Sequence, residues 1–319
     1  MKILLLEPIH PEAHKLLSEA GQIIVAERLD VGYVKEMIAD AAAALTRAYG
    51  KLSSEVLAAG RNLLCVARCG VGTDNIDVEA ATRLGIAVIY APGSTTAAVA
   101  EHTMMLILAV ARRLTQLDRE VKGGNWDVRR TAGMSMELQG RTLGVLGLGD
   151  IGRRVAELGR AFGMKVVYWS RSSRDERFEY ADRDNVLRRA DVLSINLALT
   201  PETRRLVDQQ ALTLMKPSAI LVNTARGDVV DEAALYSALE SGKIGGAGLD
   251  VIAGDSSRED NPLWKLDNVV VTPHVAAVTD IAFRRMCVEA AEQVSKILRG
   301  LPPDQRFLRN GHAVQNRRV

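Results

Sequence analysis

The sequence predicts an α/β protein whose sheets are parallel. Short apolar runs alternate with helix-compatible segments from the first residues onward, the order that builds βαβ units. The runs between 142 and 272 are near-continuously apolar, as strands covered by helices on both faces are. One of them leads straight into Gly147-Leu148-Gly149-Asp150-Ile151-Gly152, a G-x-G-x-x-G turn set between a strand and a helix.

The elements follow in order. Strands are expected at 2–6, 23–25, 43–45, 63–67 and 86–89, and helices at 11–20, with Pro11 at its start and Gly21 past its end, and at 31–40. Ser53 and Ser54 can cap a further helix ending at Gly60. A long, largely apolar helix spans 99–114, with Glu101 at its start and Arg112 and Arg113 at its end, a charge order that suits the helix dipole. His102, on that helix, reads as a satisfied structural histidine. A polar loop at 123–140 follows. Strands are then expected at 142–146, 165–169, 192–197, 219–223, 247–251 and 269–271, with helices at 153–162, 183–189, 208–214 and 231–241 between most of them. A last helix covers 280–299 and stops at Gly300 and Pro302-Pro303. The polar tail from Asp304 reads as a partly disordered end. No internal repeat or low-complexity segment stands out.

Composition narrows the function. A chain of 319 residues, 47% hydrophobic, suits two domains and a substantial core. A net charge of +2 argues against a dedicated nucleic-acid or membrane-surface binder. Cys65, Cys69 and Cys287 are few and odd in number. Cys65 and Cys69 lie in a strand-like segment with no second pair to complete a zinc site, so no metal is expected and all three read as reduced thiols of a cytoplasmic protein. Residues 1–17 resemble a leader only superficially, because Glu7 and Pro8 break the apolar run. The apolar stretch 103–111 is too short to span a bilayer and reads as a buried or interface helix.

Four stretches carry chemistry. In the glycine turn, Gly147 permits the tight bend, Gly149 lets a pyrophosphate approach the backbone, and Gly152 lets the helix pack close, so a Rossmann-type dinucleotide site is expected. The next strand ends at Trp169, where a carboxylate would select NAD. Ser170-Arg171-Ser172-Ser173-Arg174 stands there instead, and Ser170, Arg171 and Arg174 suit the 2′-phosphate of NADP(H). NAD(H), served by Asp175 or another group, is the alternative. Asn223-Thr224-Ala225-Arg226-Gly227-Asp228 ends another strand and turns Arg226, whose planar fork grips carboxylates, towards a site. Asp250, Asp255 and Thr272-Pro273-His274 lie after the last two strands. A carboxylate there could orient the imidazole of His274 as a proton-transfer pair. In the first third, Cys69-Gly70-Val71-Gly72-Thr73 leaves backbone amides open to a small anion, although a plain tight turn would read the same.

Together these residues resemble the D-isomer-specific 2-hydroxyacid dehydrogenases, which include phosphoglycerate dehydrogenases and glyoxylate/hydroxypyruvate reductases. The similarity runs through 70–77, 99–102, 147–152, 199–203 (LTPET), 223–235 (NTARGDVVDEAAL), 248–251 and 272–274. The resemblance implies a Rossmann-type doubly wound domain, residues 99–285, inserted into a smaller flavodoxin-like α/β substrate domain, residues 1–98 and 286–319, with the active site in the cleft. It implies that Arg226 binds the substrate carboxylate and polarises the carbonyl, that His274 is the acid–base, and that Asp255 pairs with it. Val71 and Gly72 would hold the substrate carboxylate through their amides. Thr103, Asp150, Ile151, Thr200, Thr224, Ala225, Asp250 and Ala276 would lie around the dinucleotide. A homodimer through the cofactor domain is implied too.

The chain departs from the family in three places. Asp255 stands where Glu is usual, Val275-Ala276-Ala277-Val278-Thr279 replaces the frequent Ile-Ala-Gly-Ser-Thr, and Ser170 replaces the acid that favours NAD. The expected reaction interconverts a small 2-oxo acid and its 2-hydroxy acid. Two alternatives remain: a phosphoglycerate-type substrate, for which Arg47 and Lys51 could supply cations although Tyr49 between them could equally line a small apolar pocket, and a dinucleotide sensor without turnover.

Overall fold

The computed structural model describes residues 1–255 and 260–311, with the side chain of Asp255 outside that description. The chain divides into two compact units, Met1–Thr95 with Val278–Val319, and Thr96–Ala277. The expected boundary at 285/286 falls inside a helix. The observed division keeps that helix whole, because its apolar side is part of the first unit's core.

The first unit contains β1 (Lys2–Leu5), α1 (Pro11–Ser18), β2 (Gln22–Val25), α2 (Val31–Ile38), β3 (Ala41–Thr46), α3 (Ser54–Ala59), β4 (Cys65–Arg68), α4 (Val78–Arg83) and β5 (Ala87–Ile89). Its parallel sheet has the order β2-β1-β3-β4-β5, the flavodoxin-like winding. Alternate residues feed opposite faces. Ile3, Leu5, Ala43, Leu45, Cys65 and Ala67 join one core cluster, and Leu4, Ala44 and Val66 join the other. The C-terminal helix shares the first of these clusters with α1. Each fully buried aliphatic side chain contributes about 1.5–3 kcal/mol.

The second unit begins with α5 (Thr96–Ala111) and α6 (Leu114–Lys122). It continues through β6 (Thr142–Leu146), α7 (Asp150–Ala161), β7 (Lys165–Trp169), β8 (Glu179–Tyr180), α8 (Arg183–Arg189) and β9 (Val192–Ile195). It ends with α9 (Gln209–Leu214), β10 (Ile220–Asn223), α10 (Glu232–Glu240), β11 (Gly246–Leu249) and β12 (Val269–Val271). Helix α11 (Asp280–Leu298) belongs to the first unit, where Met286, Cys287, Ala290, Ala291 and Val294 pack beside Ala13 and Leu17 of α1. The second sheet runs β12-β11-β10-β9-β6-β7-β8, all parallel. Read from β8, this is the doubly wound dinucleotide order, and its winding reverses between β6 and β9. Asp182, Asp208 and Asp231 cap α8, α9 and α10, each carboxylate accepting from the backbone N–H three residues on.

Several local expectations are corrected. The helix expected at 99–114 is two helices, because Arg113 adopts φ 54° and ends the i→i−4 ladder before α6 restarts it. Ser53 stands at the α3 N-cap but makes no side-chain cap bond. The tail from Asp304 is packed as far as it is described. Leu308 bridges Ile89 antiparallel, and Asn310 accepts from Val88 N and donates to Ile86 O. Residues 312–319 lie outside the described part. Among the described residues no helix is long and apolar enough to cross a membrane.

Candidate active site

The glycine turn lies where the second sheet's winding reverses. Gly147 holds φ 93°, and a Cβ there would fall 2.5 Å from Asn196 O. A Cβ on Gly152 would fall 2.0 Å from Gly147 O, so only glycine allows α7 to approach the turn this closely. Gly149 is the N-cap of α7, is exposed, and has nothing within 4 Å of where a Cβ would stand. That open space beside the free N–H groups of a full-length helix is a cradle of the right kind for a pyrophosphate. Asp150 is exposed in the first turn and Ile151 is half-buried beside it.

At the end of β7, Ser170 is buried and its hydroxyl accepts from Ser173 N at 3.2 Å. Arg174 curls back over the same loop. Its guanidinium donates to the carbonyls of Ser170 and Ser173, both at 2.9 Å, and lies 3.9 Å from the Tyr180 ring centroid. Arg171 is exposed, 3.9 Å from Glu202. Asp175 is engaged by Arg177 at 2.6 Å and Arg153 at 3.0 Å. Hydrogen bonds from Arg177 above all, and from Arg153, hold its carboxyl well below the usual range against the opposing effect of burial. Its oxygens are therefore committed to guanidiniums within the loop. Thr200 donates to Glu202 at 2.7 Å, and its N–H is held by Thr203 Oγ1.

Thr103 lies on α5. It is fully buried and gives its hydroxyl proton to Val99 O at 2.7 Å. Thr224 is 2.8 Å from it, so Thr224 must be the donor of that pair. Thr103 thus supports Thr224 from α5, which packs directly on β10 and β11.

Three neighbouring strands bring the remaining groups to one edge. After β10, the buried Asn223 accepts from Ala225 N with its amide oxygen and donates to Arg226 O with its amide nitrogen, which fixes the 224–226 loop from both sides. Arg226 follows in extended conformation, half-buried, with one guanidinium N–H on Ala225 O at 2.7 Å. After β11 comes Asp250, then the short 3-10 turn Ala253–Asp255, whose first amide is held by Glu232 of α10 at 2.9 Å. The expected pairing of Asp255 with His274 concerns a side chain outside the described part. After β12 comes Thr272-Pro273-His274.

His274 is exposed and has φ 55°. A non-glycine residue in that region costs roughly 1–2 kcal/mol and persists only where its surroundings impose it. Asp250 does so. Its backbone oxygen accepts from His274 N at 2.8 Å. Its carboxylate accepts from Thr272 Oγ1 at 2.6 Å, Val275 N at 2.9 Å and Ala276 N at 2.9 Å. The Asp250 side chain has no exposed surface. It therefore shapes the His274 loop from beneath. Ala276 is likewise buried.

In the first unit, Val71 and Gly72 follow β4. Val71 is exposed, Gly72 is half-buried, and Arg68 Nε donates to Gly72 O at 2.9 Å, which steadies the turn. The sequence reading missed the supporting groups Arg68, Asn223 and Glu232. Asn223 was visible as the first residue of its motif, while nothing local marks the other two.

A sheet of this order, with this turn at its reversal point and these groups on its strand ends, is the arrangement of a dinucleotide-binding protein. A sequence model of the D-isomer specific 2-hydroxyacid dehydrogenase NAD-binding domain matches residues 104–276. The chain is 42% identical over 306 residues to D-3-phosphoglycerate dehydrogenase of Methanocaldococcus jannaschii, covering 94% of this chain but 58% of that protein. It is 41% identical over 317 residues to glyoxylate reductase of Aeropyrum pernix, covering 95% of each. Its structure is similar to an NADPH-dependent glyoxylate/hydroxypyruvate reductase of Sinorhizobium meliloti solved with NADP and malonate, with TM-score 0.86, 32% identity, and 97% and 98% of the two chains covered. The chain belongs to the D-isomer-specific 2-hydroxyacid dehydrogenase family, oxidoreductases that use a nicotinamide dinucleotide to interconvert 2-oxo and 2-hydroxy acids.

Proposed function

We propose that this chain reduces a small 2-oxo acid, such as glyoxylate or hydroxypyruvate, to the D-2-hydroxy acid, with NADP(H) as the favoured cofactor. One observation carries the reading: adjacent parallel strands β10, β11 and β12 deliver Arg226, the Asp255 turn and His274 to the same sheet edge. Bound at this edge, the nicotinamide supplies the hydride that reaches the 2-oxo carbon. Arg226 grips the substrate carboxylate and stabilises the charge that grows on the carbonyl oxygen. His274 holds the proton that goes to that oxygen, and Asp255 orients the imidazole and stabilises its charged form. The amides of Val71 and Gly72 hold the other side of the substrate carboxylate.

Gly147, Gly149, Asp150, Ile151 and Gly152 receive the pyrophosphate. Thr200, Thr224 and Ala225 line its path, and Ser170, Arg171 and Arg174 receive the 2′-phosphate. The NADP(H) preference is supported by Ser170, which stands at the end of β7, and by Asp175, whose carboxylate is held by two arginines. We also propose a homodimer through the cofactor unit. Met105, Leu114 and Phe162 are exposed there beside Leu108 and Leu158, an apolar groove formed by α5 and α7. Three buried cysteines, with the Cys65 thiol pushed up to about 12 by burial, fit a reducing, cytoplasmic setting.

Initial rates test the proposal. Glyoxylate, hydroxypyruvate, pyruvate and 3-phosphohydroxypyruvate are each assayed with NADPH and with NADH. The expected result is turnover of the short acids with NADPH ahead of NADH. Faster turnover with NADH would reject the 2′-phosphate assignment. A clear advantage for the phosphorylated acid would move the substrate to the phosphoglycerate class. Tight dinucleotide binding with no turnover of any acid would make the chain a sensor.

A further inference from the structure

We propose that His102, on α5, is a positioning residue for His274 and acts through Thr272 and Asp250. This rests on the reading of His274 as the acid–base.

His102 Nε2 lies 2.8 Å from Thr272 Oγ1 and 3.4 Å from Asp250 Oδ1. A hydroxyl has one proton to give. Thr272 Oγ1 is 2.6 Å from Asp250 Oδ1, a carboxylate oxygen that can only accept. The threonine proton therefore goes to Asp250, and Thr272 Oγ1 must accept from His102. That fixes His102 with its proton on Nε2, and a relay of donors runs His102 Nε2–H to Thr272 Oγ1–H to Asp250 Oδ1.

The relay ends on the group that shapes the catalytic loop. Asp250 Oδ1 also accepts from Val275 N, Oδ2 accepts from Ala276 N, and Asp250 O accepts from His274 N. Thus the backbone amides of three successive residues, 274 to 276, are tied to one buried aspartate. A buried carboxylate keeps its charge only where donors surround it, and hydrogen-bond chains in such places reinforce one another. His102 is half-buried, with 14% of its side chain exposed, and it polarises the threonine hydroxyl from the far end. Its removal would leave Thr272 without a donor and free its hydroxyl to rotate off Asp250. The left-handed backbone of His274 would then lose part of what imposes it. The ring of His274 would move relative to the substrate while the dinucleotide cradle, on other strands, stays as it is.

The test compares His102→Leu, which removes the donor, with His102→Gln, which restores an N–H at about the same reach. Steady-state kinetics with the best 2-oxo acid are measured beside dinucleotide Kd by fluorescence titration. A misplaced acid–base group predicts a kcat for His102→Leu lower by about tenfold to a hundredfold. KM and dinucleotide Kd are expected to stay within about twofold, and His102→Gln to recover most of the rate. A second pair covers the case in which His102→Leu fails to fold: Thr272→Val should reproduce the loss, and Thr272→Ser should restore activity.

Unchanged kcat in His102→Leu and Thr272→Val would overturn the proposal. So would equal losses in the Leu and Gln variants, since those would mark a packing role. His274→Ala separates the two readings. If it retains turnover, the acid–base assignment itself fails. If it is inactive while His102→Leu is fully active, only the relay fails.

Discussion

At the residue scale, the proposed site separates groups that would touch substrate from groups that hold them. Arg226 and His274 stand at strand ends, and Asn223 and Asp250 lock the loops that carry them. The proposed roles predict different kinetics. His274→Ala removes the proton donor and should lower kcat by roughly 10²–10⁴ with dinucleotide Kd unchanged in a fluorescence titration. Arg226→Gln should raise KM and lower kcat together, with kcat falling on the order of 10²–10³, because both ground-state binding and the growing oxyanion lose a guanidinium. An effect of Arg226→Gln confined to dinucleotide affinity would contradict its assignment.

At the element scale, the connection after β3 is organised by a residue of β1's own extension. The carboxylate of Glu7 accepts from the backbone N–H groups of Arg47, Ala48, Tyr49 and Gly50, and from Thr46 Oγ1. Burial alone would raise its pKa, but the amides of Gly50, Arg47, Ala48 and Tyr49 outweigh it and hold the carboxyl below the ordinary glutamate value. The sign follows. A depressed folded value means that ionised Glu7 stabilises the fold above the unfolded-state pKa, and that this contribution is lost as pH falls through the folded value. Glu7→Gln keeps the shape but removes the charge and one acceptor oxygen. Urea denaturation at neutral pH should show a loss of about 1–3 kcal/mol. The gap between variant and parent should narrow below the ordinary glutamate pKa. A gap that stays constant into acid would show that the charge contributes nothing. The notch between α5 and α6 belongs to this scale too. Arg113 at φ 54° separates two helices that a single apolar run merges, and a local conformation of that kind leaves no periodic trace.

At the scale of the whole molecule, the proposed homodimer depends on the apolar groove of the second unit. Met105 is 44% exposed and Phe162 45%, on α5 and just past α7, and the groove contains little polar surface between Glu101 and Arg112. A charge placed in the middle of an apolar interface must be desolvated without a partner. Met105→Glu combined with Phe162→Glu should therefore shift sedimentation velocity from dimer to monomer. A parent chain that sediments as a monomer, or a double variant that remains dimeric, would reject this face as the interface.

The sequence by itself determined the order of the elements and the positions of the chemistry-bearing turns. Alternating apolar runs mark buried strands, glycines at fixed offsets mark a close backbone approach, and both are local patterns. The strands at 142–146, 165–169 and 269–271 and the helix at 183–189 stand where those patterns put them. The Gly147–Gly152 turn and the motifs around Arg226 and His274 were legible for the same reason. Only the tertiary structure decided what meets what. It assigned α11 to the first unit, because the helix shares a buried face with α1. It packed residues 304–311 through Leu308 and Asn310, set Thr103 against Thr224, and made Asp250 the anchor of the His274 loop. These outcomes depend on partners far apart in the chain, 170 positions for His102 and Thr272 and 222 for Val88 and Asn310. No periodicity encodes such pairs; they are chosen when the faces of the sheets are covered and every buried donor must find an acceptor.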